Sequence, residues 1–250
     1  MKIRLVSFDL LHTLITPRYP IHVQYARVFE PYLGPLNPDA VRSSFHVALK
    51  QLRAEKPVYG NDSSSWWSDV IQRTALGAGA DPKVLNRTLS SITPRLMKAF
   101  SSREGYEEFD DSLSVLNALK DQGIRTAVVS NADARMLSVL EDLEFPPYLR
   151  PIVLSETEGV EKPSPEIFDI LLQRVNDALE SEPPISPAEC LHVGDELTCD
   201  YYGAESAGFH ALLLDRPGAD HQQEATIPES VNVAHDLHEV LNWMRAQPGR

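Results

Sequence analysis

The stretch Ile3-Arg4-Leu5-Val6-Ser7-Phe8 has the make-up of a buried strand and stops on a carboxylate, Asp9. The same arrangement recurs down the chain. Residues 124–129 deliver Ser130 and Asn131, and Leu191, His192 and Val193 lead into Gly194-Asp195. Residues 152–154 and 209–214 read as further strands. Helical patterns separate them. Leu113, Leu116 and Leu119 line a helix that stops near Gly123, and residues 133–143 form the next. Pro165 opens a helix with Ile167, Phe168, Leu171 and Leu172 facing inward. Another helix runs to Gly208, and residues 236–244 close the series. Strands alternating with helices argue for an α/β fold whose parallel sheet is covered by helices. Such sheets collect their ligands at the carboxyl edge, so polar residues at strand ends are candidates for a common site.

Residues 16–104 break this rhythm. They carry helical periodicity at 22–32, at 39–53 (Val41, Phe45, Ala48, Leu49, Leu52) and at 82–99 (Leu85, Leu89, Ile92, Leu96). Trp66, Trp67, Val70 and Ile71 mark a further helix, with Ser63 or Ser64 as its expected cap. The segment reads as a helical unit inserted after the first strand. Residues 181–187 read as a proline-rich acidic loop.

With 250 residues the chain is long enough for a sizeable core without disulfides. Cys190 and Cys199 form no metal-ligand series, which points to a reducing compartment. The start enters a strand at once and leaves no room for a secretory leader, and no apolar stretch approaches the ~20 residues that span a bilayer. A cytoplasmic or nuclear location is expected. The net charge of -13 disfavours nucleic acid and anionic membrane as partners. It leaves room for a small phosphorylated metabolite or other small anionic ligand, because one lysine and a metal ion can hold a phosphate in a local pocket.

Taken singly, Asp9 with Thr13, Ser130 with Asn131, Lys162, and Asp195 with Asp200 are each ordinary turn or cap residues. In conjunction they resemble the haloacid dehalogenase-like hydrolase superfamily. The resemblance rests on VSFDLLHTL at 6–14, VVSNAD at 128–133, EKPSPEIF at 161–168 and HVGDELTCDYYGAESAG at 192–208, in that order. Tyr59, Gly60, Trp66, Trp67 and Val70 add a pattern similar to one branch of it.

The resemblance implies a Rossmann-like sheet, with residues 1–15 and 105–250 as the catalytic core and 16–104 as a cap. It implies that Asp9 is the nucleophile and that Mg²⁺ is held by Asp9, the backbone carbonyl of Leu11 and Asp195. Glu196 and Asp200 would support that site, Lys162 and Ser130 would stabilise the transferred group, Asn131 would position substrate or hold its loop, and Thr13 would orient Asp9. Hinges are expected near Thr16-Pro17 and Ser101–Arg103.

One residue departs from the pattern. Phosphatases of the superfamily carry a second aspartate two residues after the nucleophile, and this chain has Leu11 there. Leucine transfers no proton, and a general acid–base group typically contributes about 10²–10⁴-fold. Three readings follow: a weak or specialised Mg²⁺-dependent phosphatase, with His12 as a substitute proton carrier; a catalytically inactive binding or regulatory protein, with a protein partner; and a 2-haloacid dehalogenase, whose halide leaves without a proton. Arg18, Arg53 and Tyr59 are candidate cap contacts for an anion. Trp66 and Trp67 are assigned to core packing or a partner-facing surface, and His192 and His210 to the core.

Overall fold

The computed structural model describes residues 2–179, 182–217 and 227–246. The apolar runs become strands β1 (Leu5–Phe8), β4 (Arg125–Ser130), β5 (Leu149–Leu154), β6 (Cys190–Gly194), β7 (His210–Leu214) and the short β8 (Val233–Ala234). They form one six-stranded parallel sheet in the order β5-β4-β1-β6-β7-β8. Every residue of β1 and β6 is buried, as expected of central parallel strands covered on both faces. The register puts Phe8 level with Val128 on one side and Val193 on the other. Asp9, Ser130 and Asp195 therefore leave the sheet at one edge.

The helices α5 (Ser112–Asp121), α7 (Ser155–Glu158), α8 (Pro165–Asp177), α9 (Gly203–Ser206) and α10 (Leu237–Ala246) complete this unit. Ile167, Phe168, Leu171 and Val175 of α8 pack into a core with Leu5, Ala127, Val129, Val153 and Leu213 of the strands. Strands β2 (Ile15–Pro17) and β3 (Tyr106–Glu108) form a separate two-stranded sheet. At three residues each they are too short to show an alternating pattern, and periodicity gives no sign of them. Strand β8 escapes for the same reason. Of the expected loop at 181–187, residue 181 lies outside the described residues.

The chain divides into two compact units: residues 1–16, 108–132 and 145–250, and residues 17–107 with 133–144. The second holds α1 (Ile21–Leu33), α2 (Pro38–Glu55), α3 (Ser63–Gly77), α4 (Pro82–Ala99) and α6 (Arg135–Asp142). Its boundaries differ from the expected 16–104, mainly because α6 groups with the inserted helices. Tyr25 packs edge-on against Phe29 and Phe45 at its centre. Three of its helices are capped alike: the side chains of Asn37, Asp62 and Asp81 accept from the first backbone N–H groups of α2, α3 and α4. The cap of α3 is thus Asp62, correcting Ser63 or Ser64; a carboxylate one residue earlier satisfies the Ser64 and Ser65 N–H groups. No helix among the described residues is long and apolar enough to cross a membrane.

Candidate active site

Lys162 is the organising group. It is 3% exposed and carries a charge, so its burial requires partners. Its Nζ donates to Asp9 Oδ1 at 2.7 Å, to Asp200 Oδ1 at 2.6 Å and to the Val129 carbonyl at 3.0 Å. All three hydrogens are used, and two carboxylates far apart in sequence are tied to one ammonium. The lysine's own backbone is fixed by Asn131, whose side chain accepts from Lys162 N–H at 2.7 Å and donates to its carbonyl at 2.8 Å.

Asp200 reaches the site through a wide π-helical turn, Leu197–Tyr202, in which the Asp200 and Tyr201 N–H groups both bond to the Glu196 carbonyl (2.8 and 3.3 Å). The Asp200 carboxylate folds back over Gly194. A Cβ at 194 would overlap that carboxylate, so the turn requires glycine at this position. Oδ2 of Asp200 accepts from Glu196 N–H at 2.9 Å, and Oδ1 contacts His192 Nε2 at 3.1 Å.

Carboxylate oxygens of Asp9, Asp195 and Asp200 lie within 4.8 Å of one another, and all three residues are buried. Three carboxyl groups face a single ammonium. Burial pushes the Asp9 carboxyl up to about 6; Lys162 opposes this and Asp200 adds to it, while Ser130 lowers it by a hydrogen bond. Asp195 rises to about 9, through burial and then repulsion from Asp9, Asp200 and Glu196. Asp200 goes the other way. Burial alone would raise it, but Lys162 and then His192 hold it below the usual carboxylate range, and burial keeps His192 neutral.

An all-oxygen set with excess negative charge is the chemistry of a hard divalent cation site. Asp200 is committed to three donors, whereas burial and mutual repulsion raise the Asp9 and Asp195 carboxyls, so a cation would relieve those two most. Those two fit a cation best.

Other expected residues are placed as follows. The Thr13 hydroxyl is fully buried and finds no hydrogen-bond partner among the described residues. Leu11 is half-buried, in an isolated bridge to Ile15, and His12 adopts a left-handed backbone (φ 60°) with its N–H on the Ile15 carbonyl. In the second unit Trp66 is buried and donates to the Lys56 carbonyl, and Tyr59 packs edge-on against it. Arg18 donates to the Arg103 carbonyl and pairs with Glu107.

Two supports were not foreseen. Arg216 forms a two-pronged pair with Asp111 (2.8 and 3.0 Å), stacks on Phe109 and donates to the Thr13 carbonyl at 2.9 Å, bracing the loop after Asp9. Ser7 and His192 stand behind Asp200. Neither left a sequence signal, because an arginine after a strand and a histidine within one are unremarkable until their partners are known.

A family model described as haloacid dehalogenase-like hydrolase matches residues 3–208. The chain is similar to haloacid dehalogenase-like hydrolase domain-containing protein 3 of Danio rerio, with 31% identity over 86% of each chain. The Bos taurus protein of that name is 29% identical over 98% of this chain and 94% of its own. Among solved structures, the putative HAD-hydrolase YfnB from Bacillus subtilis, bound to magnesium, is similar in fold (TM-score 0.71, 19% identity, 98% of this chain and 100% of that one).

Proposed function

The chain belongs to the haloacid dehalogenase-like hydrolase family, and from that premise we propose that it is a specialised Mg²⁺-dependent phosphatase acting through Asp9 on substrates with good leaving groups. The observation that carries this reading is the buried Lys162 bonded to both Asp9 and Asp200, with Asp195 beside them.

Asp9 attacks phosphorus while the bond to the leaving oxygen breaks, and that oxygen departs with the electron pair. Ser130 and Lys162 offset charge on the transferred group. Asp9, Asp195 and the Leu11 carbonyl would hold Mg²⁺, which supplies Lewis-acid neutralisation of the phosphoryl oxygens; the magnesium-bound Bacillus subtilis protein supports that choice of ion. Water then attacks the same phosphorus, releases phosphate and restores the Asp9 carboxylate. A phenolate or carboxylate leaves without help; an alkoxide needs the proton that Leu11 cannot give. His12 is the adjacent substitute for the proton taken from water.

The test compares wild type, Asp9→Asn and Leu11→Asp on p-nitrophenyl phosphate and acetyl phosphate with Mg²⁺. Wild-type turnover abolished by Asp9→Asn is the expected result, with Leu11→Asp extending activity to alkyl phosphates. A silent wild type rescued by Leu11→Asp would replace the enzyme with a phosphate-binding protein, the second reading that Leu11 itself favours. Halide release from 2-haloacids without Mg²⁺ would overturn both.

A further inference from the structure

His192 lies wholly inside β6, with its ring edge-on to Phe168 at 5.0 Å. Packing alone would account for a hydrophobic residue there, but both ring nitrogens are engaged. Nδ1 is 2.9 Å from Ser7 Oγ, and Nε2 is 3.1 Å from Asp200 Oδ1. Asp200 is ionised and can only accept, so the proton belongs on Nε2. Nδ1 is then bare and accepts from the Ser7 hydroxyl. The result is one directed chain of hydrogen bonds: Ser7 to His192, His192 to Asp200, with Lys162 donating to both Asp200 and Asp9.

Resting on the phosphatase reading above, we propose that His192, set in its tautomer by Asp200 and met on its other side by Ser7, is a positioning residue that keeps Lys162 directed at Asp9. Oδ1 of Asp200 receives two donors, Nε2–H of His192 and Nζ–H of Lys162. While the imidazole takes part of that oxygen's capacity, the ammonium is shared between Asp200 and Asp9. Without Nε2–H, Oδ1 has Lys162 as its one side-chain donor, the Lys162–Asp200 pair tightens, and the hold on Asp9 weakens. Asp200 stays in place through Oδ2 and Glu196 N–H, so the change falls on the lysine rather than on the turn. The residue touches no reacting atom and acts through two others.

The test uses the full-length chain with Mg²⁺ and p-nitrophenyl phosphate, comparing wild type, His192→Leu and His192→Gln. Leucine fills the space without a donor; glutamine returns an N–H at a similar reach. Expected is a kcat loss of about 10–100-fold in His192→Leu with KM within about twofold, and recovery to within about threefold of wild type in His192→Gln. Equal losses in both variants, or no loss in either, would overturn the proposal, since packing does not distinguish them in this way. Should His192→Leu fail to fold, Ser7→Ala takes its place, with an expected kcat loss of about threefold or more and unchanged kcat as the contrary result. A separate arm needs no turnover: histidine side-chain ¹⁵N spectra at neutral pH should show His192 with its proton on Nε2. A proton on Nδ1, or on both nitrogens, would overturn the network even in an active enzyme. A silent wild type with the expected tautomer would instead sink only the phosphatase reading.

Discussion

Lys162 shows how much of this site hangs on single atoms. Removing one member of a buried ion pair typically costs about 3–5 kcal/mol, because the remaining charges keep the cost of burial without its compensation. Lys162→Met leaves Asp9, Asp195 and Asp200 facing one another, so a fall in stability of that size is expected at neutral pH, measured from urea midpoints. Because the destabilisation comes from carboxylate repulsion, it should shrink when Asp200→Asn is added. Additive losses in the double variant would show that the lysine's stem, rather than its charge, was the important part. At this scale the sequence was informative where a polar residue closes a strand, which is what singled out Asp9, Ser130 and Asp195; Lys162 lies beyond α7 and stood out through its place in EKPSPEIF. It was silent where a residue's meaning lies in its partner. Nothing in VSFD marks Ser7 as a partner of the His192 ring, and nothing near residue 216 points back to Thr13.

At the scale of elements, α3 and the start of α6 show what periodicity can and cannot deliver. Trp66, Val70 and Ile71 at helical spacing were enough to place α3, and the structure buries all three. Trp67, one step round the helix, makes a polar contact, its Nε1 donating to Asp133 Oδ2 at 2.7 Å. The Arg135 guanidinium closes on the same carboxylate (2.7 and 2.8 Å) and lies over the Trp67 ring at 4.5 Å. Asp133 is 2% exposed, and although burial would raise its pKa, Arg135 and then Trp67 hold it below the ordinary carboxylate value. A depressed folded-state pKa contributes stability at every pH above the unfolded value and loses it as pH falls towards the folded one. The loss should therefore begin below about pH 4. Asp133→Asn is expected to destabilise the protein most at pH 7 and progressively less from about pH 4 to pH 3, read from urea midpoints at each pH. A gap that stays constant down to about pH 3 would remove the ion pair as its cause. The pattern at 133–143 predicted this helix, but grouping it with the inserted helices depends on contacts more than thirty residues away in sequence.

For the whole molecule, the alternation of strand and helix was the most legible property, because a parallel sheet buried on both faces writes itself as apolar runs. Unit boundaries were less legible, since a change of partner leaves no mark on composition. Net charge is the other whole-chain property that composition supplies, and -13 has a consequence for an enzyme acting on anions. On the phosphatase reading, an anionic substrate would meet a repulsive field at long range and an attractive site only within reach of Lys162 and the cation that Asp9 and Asp195 would hold. Salt shortens the reach of that field, with a Debye length of about 30 Å at 0.01 M and 8 Å at 0.15 M, and it screens exposed charges more than the buried lysine. Raising ionic strength between those limits at fixed free Mg²⁺ should therefore lower KM for p-nitrophenyl phosphate and leave kcat nearly unchanged. If KM rises instead, exposed cations near the site are drawing the substrate in. The charge that matters would then be local, and the -13 of the chain would have no bearing on capture.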